Sequence, residues 1–156
     1  MSKLVIGKKV PDFKLPATGG KDIRLSDLKG QSVVIYFYPK DNTTGCIREG
    51  QDFTDLHARF RRAGALILGI SRDSLDSHER FKANMQFPFD LLSDAEEKVC
   101  TLFDVIKEKN MYGKKVMGIE RSTFLIDADG VLRQEWRKVK VDGHAEEVLQ
   151  AVKSLN

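Results

Sequence analysis

The sequence predicts an α/β fold with a mixed central β-sheet flanked by helices. Two observations support this prediction. Short apolar segments rich in β-branched and aromatic residues alternate with segments of helical periodicity, a pattern typical of parallel strand pairs. A late hairpin signal, in which Ser122–Ile126 and residues 131–136 flank a turn at 127–130, adds antiparallel strands. Because no linker or repeat interrupts the 156 residues, we expect one domain spanning residues 1–156.

The elements follow each other in a simple order. Residues 12–30 alternate apolar pieces with Gly19 and Gly20, which predicts an N-terminal β-hairpin extension and one helical turn at 26–29. Residues 33–38 are apolar without alternation, as in a central strand covered on both faces. Before the late hairpin, the sequence also predicts a helix at 46–62, a strand at 65–70, a helix at 73–85, a strand at 89–92 and a helix at 94–103. A last helix is predicted at 144–155. The order βαβ followed by αββα is that of a thioredoxin-like fold, which alone does not define a function.

Charge and hydropathy exclude several classes of partner. The formal net charge is only +3, with basic and acidic side chains spread along the chain, so nucleic-acid binding is not expected. The longest apolar run, 33–38, is too short to span a membrane, and residues 1–7 lack the apolar core of a signal peptide. The two cysteines, Cys46 and Cys100, form no disulfide framework. A reducing, cytoplasmic setting is therefore expected.

Cys46 stands where a cysteine is expected to be reactive. It opens the helix that follows the strand at 33–38 and the polar loop at 39–45. The first turn of a helix carries unpaired N–H groups and a partial positive charge, both of which favour the nucleophilic thiolate. Gly45 leaves the sulfur within reach of a small substrate. The alternative is a buried, inert cysteine, but the polar loop argues against deep apolar burial.

Two neighbours of Cys46 complete a pattern, P-x-x-x-T-x-x-C. The Thr43 hydroxyl is close enough to bond a ligand atom near the sulfur, although it could instead cap the helix. Pro39 could simply end the strand. The segment YFYPKDNTTGC (residues 36–46) closely resembles the active-site loop of peroxiredoxins, specifically of the peroxiredoxin Q or bacterioferritin comigratory group. The resemblance covers essentially the whole chain, and the other matching segments are PDF (11–13), GISRD (69–73) and GIERSTF (118–124).

This resemblance implies a thiol-specific peroxidase that needs no cofactor or metal. Cys46 would be the peroxidatic cysteine, which attacks hydrogen peroxide or an organic hydroperoxide and becomes a sulfenic acid. Thr43 would bond the bound peroxide, and Pro39 would shield the thiolate. The preferred peroxide does not follow from the sequence. A monomer is expected, because this group is often monomeric.

Arg121 matches the family arginine that stabilises the thiolate and helps to bind the peroxide. A guanidinium suits this role because it stays charged and offers several donors to the negative charge that develops on the oxygens. The residues alone allow another interpretation, a surface ion pair of Arg121 with Glu120 or Glu135.

The sequence has no cysteine where relatives carry a resolving cysteine. Gln51 and Lys82 occupy those two positions, and Thr44 replaces the proline that the family usually has before the glycine. Cys100 lies among apolar residues and is expected to be a packed, inert thiol rather than a resolving cysteine. We therefore expect a one-cysteine mechanism, in which thioredoxin, glutaredoxin or glutathione resets Cys46.

Other chemistries fit the sequence less well. Glu49 stands where a C-x-x-C motif would need its second cysteine. The helical pattern places Glu49 on the solvent side of the helix at 46–62, opposite the apolar residues Phe53, Leu56 and Phe60. His57 lies too far along the helix to act as a base for Cys46, and scattered histidines form no metal-ligand spacing. We expect solvated or capping roles for the three histidines, His57, His78 and His144. The main alternative is a peroxide sensor that passes oxidation to a partner through a mixed disulfide.

Overall fold

A computed structural model describes residues 4–155, and the parts of the predicted domain at 1–3 and 156 lie outside it. Nine strands and five α-helices form within this range. The strands are β1 (Lys14–Ala17), β2 (Lys21–Arg24), β3 (Ser32–Phe37), β4 (Ala65–Ser71), β5 (Asp90–Ser93), β6 (Ile106–Met111), β7 (Lys114–Ile119), β8 (Ser122–Ile126) and β9 (Leu132–Trp136). The helices are α1 (Thr44–Asp55), α2 (His57–Arg62), α3 (Leu75–Met85), α4 (Lys98–Leu102) and α5 (His144–Ser154).

Seven of the strands in residues 4–155 form one mixed sheet in the order β2-β1-β5-β4-β3-β8-β9. The pairs β3–β4 and β4–β5 are parallel, whereas β8 pairs antiparallel with both β3 and β9. The hairpin of β1 and β2 extends the sheet at the β5 edge, and a 3-10 helix (Leu25–Leu28) follows it. The predicted mixed α/β architecture of the thioredoxin-like type is confirmed.

The central strand β3 divides the core into two apolar clusters. All six of its residues are buried, as its unbroken apolar run predicts. Because successive side chains of a strand point to opposite faces, Ile35 and Phe37 join the cluster that contains α4. Val34 and Tyr36 join the cluster built with α1, α2, α3 and α5. Helices therefore cover both faces of the sheet.

Two predicted helices differ from those observed. The helix predicted at 46–62 is two helices, α1 and α2, which are separated at Leu56 (φ −100°, ψ 2°). The helix predicted at 94–103 is only the short α4, because Glu97 adopts a left-handed conformation (φ 63°) at its start. Neither break involves proline or glycine, so composition gave no sign of it. Nowhere in residues 4–155 is there a helix long and apolar enough to cross a membrane.

The hairpin of β6 and β7 is absent from the sequence prediction. Its two strands pair only with each other and turn at Tyr112 and Gly113, both with positive φ. Most of its side chains are polar or exposed, so neither strand shows the apolar alternation by which strands are recognised. The end of β7 leads directly to Arg121 and the start of β8.

Candidate active site

Cys46 lies in the first turn of α1, just beyond the end of β3, as the sequence predicts. Its side chain is only 2% exposed and packs in the cluster that contains Val34 and Tyr36. The expectation that the polar loop would prevent deep burial is therefore wrong. The loop residues Asn42 and Thr43 are exposed. Cys46 is buried because it lies on the side of α1 that faces the sheet.

Arg121 approaches Cys46 directly. Its Nη2 donates a hydrogen bond to Cys46 Sγ over 3.4 Å, and its Nη1 contacts Glu49 Oε1 at 2.6 Å. The alternative of a surface ion pair with Glu120 or Glu135 is wrong, since Arg121 is largely buried and pairs with Glu49. Burial lowers the pKa of Arg121, but the neighbouring Glu49 and Cys46 outweigh this effect and raise it above its ordinary value.

Glu49 is a candidate functional residue that sequence reasoning missed. The helical pattern placed it on the solvent side of α1, yet it is 1% exposed and faces the same way as Cys46, three residues earlier. Burial raises the pKa of Glu49 to about 7, although Arg121 acts in the opposite direction. Among the described residues, Glu49 Oε2 has no hydrogen-bond partner. The i, i+3 spacing from Cys46 was the signal that could have revealed it.

Thr43 and Pro39 both border the site. Thr43 occupies the N-cap position of α1, but its side chain makes no capping bond. Its hydroxyl instead donates to the carbonyl oxygen of Lys40 over 2.8 Å, so its oxygen can still accept a hydrogen bond from a peroxide O–H. Pro39 is partly buried and comes two residues after β3 ends. The roles expected of these two residues remain predictions.

Cys100 lies on the other side of the sheet from Cys46. It is fully buried in the cluster that contains Ile35 and Phe37. Burial, and then the neighbouring Asp94, raise the pKa of the Cys100 thiol far above its ordinary value. Because the central sheet separates the two sulfurs, a disulfide between them would require the core to open.

Two of the three histidines, His78 and His144, do not have the solvated or capping roles expected from the sequence, and the expectation for His57 stays a prediction. His78 and His144 are both buried, and His57 is partly buried. His144 Nε2 lies 2.8 Å from Thr123 Oγ1, and burial lowers the pKa of His144 to about 4, which leaves it neutral. His78 Nδ1 contacts Asp41 Oδ2 at 2.7 Å. Buried pairing, rather than hydration, satisfies these rings.

One group of side chains brings possible metal-ligand atoms together. Asp41, Asp73 and His78 have such atoms within 4.8 Å of one another. These atoms already have partners: Ser77 donates to the Asp41 carboxylate, His78 Nδ1 contacts the same carboxylate, and Ser71 donates to Asp73. The group is thus a closed hydrogen-bond network.

A comparison with known proteins identifies the family of the chain. The model of the AhpC/TSA family matches residues 6–135. The chain belongs to the AhpC/TSA family. Peroxiredoxin Bcp of Xanthomonas campestris is 56% identical to it over 143 residues, which cover 92% of this chain and 89% of that protein.

Solved structures of the family agree with the fold. Peroxiredoxin Q of Xanthomonas campestris superimposes with a TM-score of 0.90 at 53% identity, covering 98% of this chain and 97% of that one. A structure of the bacterioferritin comigratory protein of the same organism, described for alkyl peroxide reduction activity, has a TM-score of 0.90 at 52% identity and covers 99% of both chains. The resemblance to the peroxiredoxin Q group is confirmed, and membership supports a thiol peroxidase with a peroxidatic cysteine.

Proposed function

We propose that this chain is a thiol-specific peroxidase of the one-cysteine type, with Cys46 as the reacting group. The observation that carries the proposal is the 3.4 Å hydrogen bond from Arg121 Nη2 to Cys46 Sγ. A guanidinium beside the sulfur favours the thiolate and places donors where negative charge develops on the peroxide. Glu49 holds the other side of the same guanidinium and so fixes its orientation.

The first step is attack of the Cys46 thiolate on one peroxide oxygen. A sulfur–oxygen bond forms, the oxygen–oxygen bond breaks, and the second oxygen leaves as hydroxide or alkoxide and takes up a proton. Sulfur is oxidised by two electrons to a sulfenic acid while the peroxide is reduced to water or alcohol. In this step Thr43 accepts a hydrogen bond from the peroxide, and Pro39 shields the thiolate. Both hydrogen peroxide and organic hydroperoxides fit these requirements, and alkyl peroxide reduction by a 52% identical relative supports the second class.

The second step needs a thiol from outside the chain. One thiol displaces water from the sulfenic acid to give a mixed disulfide, and a second thiol releases Cys46. Cys100 does not serve, because it lies beyond the central sheet and its thiol is strongly protonated. Thioredoxin, glutaredoxin and glutathione are the candidate reductants, and the two unpaired cysteines suit a reducing cytoplasm. We expect the enzyme to act as a monomer.

A turnover assay with matched cysteine variants tests the proposal. Peroxide consumption is measured with each reductant for the wild type, Cys46→Ser and Cys100→Ser. We expect Cys46→Ser to abolish turnover and Cys100→Ser to retain most of it. Oxidation of Cys46 without turnover under any reductant would favour the sensor alternative.

Mass spectrometry tests the one-cysteine mechanism separately. After one equivalent of peroxide, the protein is analysed without reduction. We expect a sulfenic acid on Cys46 that forms a mixed disulfide when a small thiol is added. A Cys46–Cys100 disulfide formed within the chain would contradict the proposal.

A further inference from the structure

Asp41 anchors the loop between β3 and Cys46 to the interior of the protein. Although it belongs to this loop, its side chain is buried. Its Oδ1 accepts a hydrogen bond from the Tyr38 hydroxyl at 2.6 Å. Its Oδ2 accepts from the Ser77 hydroxyl at 2.8 Å and lies 2.7 Å from His78 Nδ1. The donors come from the end of β3 and from α3, so one carboxylate ties the loop to two elements.

The partners of His78 come from two parts of the chain. Nε2 lies 2.9 Å from the carbonyl oxygen of Leu92, which can only accept, so Nε2 must carry a proton. Nδ1 faces the Asp41 carboxylate. Burial alone would raise the pKa of Asp41, but hydrogen bonds from His78, Tyr38 and Ser77 lower it below its ordinary value. Both ring nitrogens of His78 are thus engaged, one by β5 and one by the loop, so the ring links Asp41 to the interior of the protein.

We propose that Asp41–His78 is a positioning pair that holds the loop between β3 and Cys46 in place over Cys46. The inference rests on the proposed peroxidase function. The other titratable groups facing the pair are Tyr38, at the end of β3, and Asp73, which follows β4 and accepts a hydrogen bond from the Asp41 backbone N–H at 2.9 Å. Tyr38 donates to the other oxygen of Asp41 and Asp73 acts as an acceptor, so neither replaces the contact of His78 with Oδ2.

The position of Asp41 links the pair to the chemistry. Asp41 precedes Thr43 by two residues, and Asn42 between them is held in a left-handed turn (φ 63°). If the pair is lost, this turn and the first turn of α1 lose their fixed place. Peroxide attack then slows, because the Thr43 hydroxyl and the sulfur are no longer held together. Reduction by a thiol does not slow, because Cys46 is only 2% exposed in the closed loop and becomes easier to reach when the loop opens.

Two rate constants measured separately test this inference. Peroxide attack is followed by peroxide loss in a single turnover, and the thiol step by reduction of the sulfenic acid with dithiothreitol. For His78→Gln we expect the first rate constant to fall by about tenfold or more, as for loss of a hydrogen bond to a charged group. The second rate constant should stay equal or rise. His57→Gln, a change of the partly buried histidine in α2, is the matched control and should alter neither rate.

A milder variant covers the case in which His78→Gln does not fold. Ser77→Ala removes one of the three side-chain bonds to the Asp41 carboxylate and leaves His78 in place. We expect the same opposite shift of the two steps, but smaller. If both rates fall together, or neither changes in a folded variant, the pair is structural only and the inference is wrong.

Amide hydrogen exchange tests the pair without an activity measurement. The backbone N–H of Asp41 donates to Asp73 in the anchored loop, and we expect it to exchange faster in His78→Gln than in wild type and in His57→Gln. Unchanged exchange in a folded His78→Gln would overturn the inference even if Cys46 is the reacting group, so failure of the proposed function and failure of the pair are distinguishable.

Discussion

Gly45→Ala should separate reactivity from stability in this protein. Gly45 lies in the first turn of α1 without a positive φ, so its backbone accepts alanine. A Cβ atom built at this position would lie 3.0 Å from Arg121 Nη2, the nitrogen that donates to Cys46 Sγ. Ordinary contacts of a Cβ atom begin at 3.4 Å, so the guanidinium must move away by about 0.4 Å. Glu49 holds Arg121 Nη1 at 2.6 Å and restricts that movement.

The two expected effects of Gly45→Ala have opposite signs. Alanine is favoured over glycine in a helix by up to about 1 kcal/mol, so the free energy of unfolding should stay equal or rise. A hydrogen bond to a charged group contributes about 1.5–3 kcal/mol, and the displaced guanidinium should lose roughly half of it or more. Since about 1.4 kcal/mol corresponds to a factor of ten in rate, peroxide attack should slow by about tenfold.

The assay combines the rate constant of peroxide loss with urea unfolding of the same samples. Thr44→Ala is the matched control, because Thr44 is exposed in the same helical turn and also becomes alanine. We expect Thr44→Ala to leave the rate nearly unchanged. A wild-type rate in Gly45→Ala would refute the argument that Arg121 acts through this contact. A loss of activity that matches a loss of stability would refute the predicted separation.

Three further substitutions follow from the site. The pKa of Glu49 is raised from 4.5 to about 7 in the folded protein. Between these two pH values the folded protein keeps a proton that the unfolded chain has lost, so the free energy of unfolding falls as pH rises from 4.5 to about 7. The free energy of unfolding of Glu49→Gln, relative to that of wild type, should therefore be higher at pH 8 than at pH 5. We expect a difference on the order of 3 kcal/mol in urea unfolding. In Gly50→Ala the new Cβ would lie 2.4 Å from Phe87 Cζ, and we expect a loss of about 1–3 kcal/mol in the same measurement. Thr43→Val should raise the KM for peroxide about tenfold through loss of one hydrogen bond, with the fold retained by circular dichroism.

Local patterns predicted most of the sheet but not the hairpin of β6 and β7. The strands β3 and β4 are unbroken apolar runs, so their burial and parallel pairing follow from composition. The predicted helix at 46–62 breaks at Leu56, where only tertiary packing distinguishes α1 from α2. The hairpin has no apolar alternation, because most of it pairs with itself away from the core, which only the end of β7 enters. Pattern reasoning therefore has no signal to use there.

The site was predictable only in part, for a similar physical reason. Cys46 could be recognised because its reactivity depends on local position, at the start of a helix after a buried strand. Arg121 is distant from Cys46 in the chain, so no local pattern links the two residues. Only the resemblance to a family predicted that the fold brings them together. Glu49 was placed on the wrong side of α1 because a helical pattern assigns charged residues to solvent. A buried carboxylate is stable there only because Arg121 arrives from another part of the chain.

The two cysteines show which physical difference decides reactivity. Both are buried, and both lie beside the same central sheet, so burial alone would make each of them inert. The difference is the charge that each sulfur faces: Arg121 contacts Cys46, whereas at Cys100 the neighbouring Asp94 adds to burial in raising the pKa of the thiol. Negative charge on sulfur is stabilised at one site and opposed at the other. If this difference is decisive, Arg121→Met should bring the rate of Cys46 alkylation down toward that of Cys100, although its position at the start of α1 is unchanged.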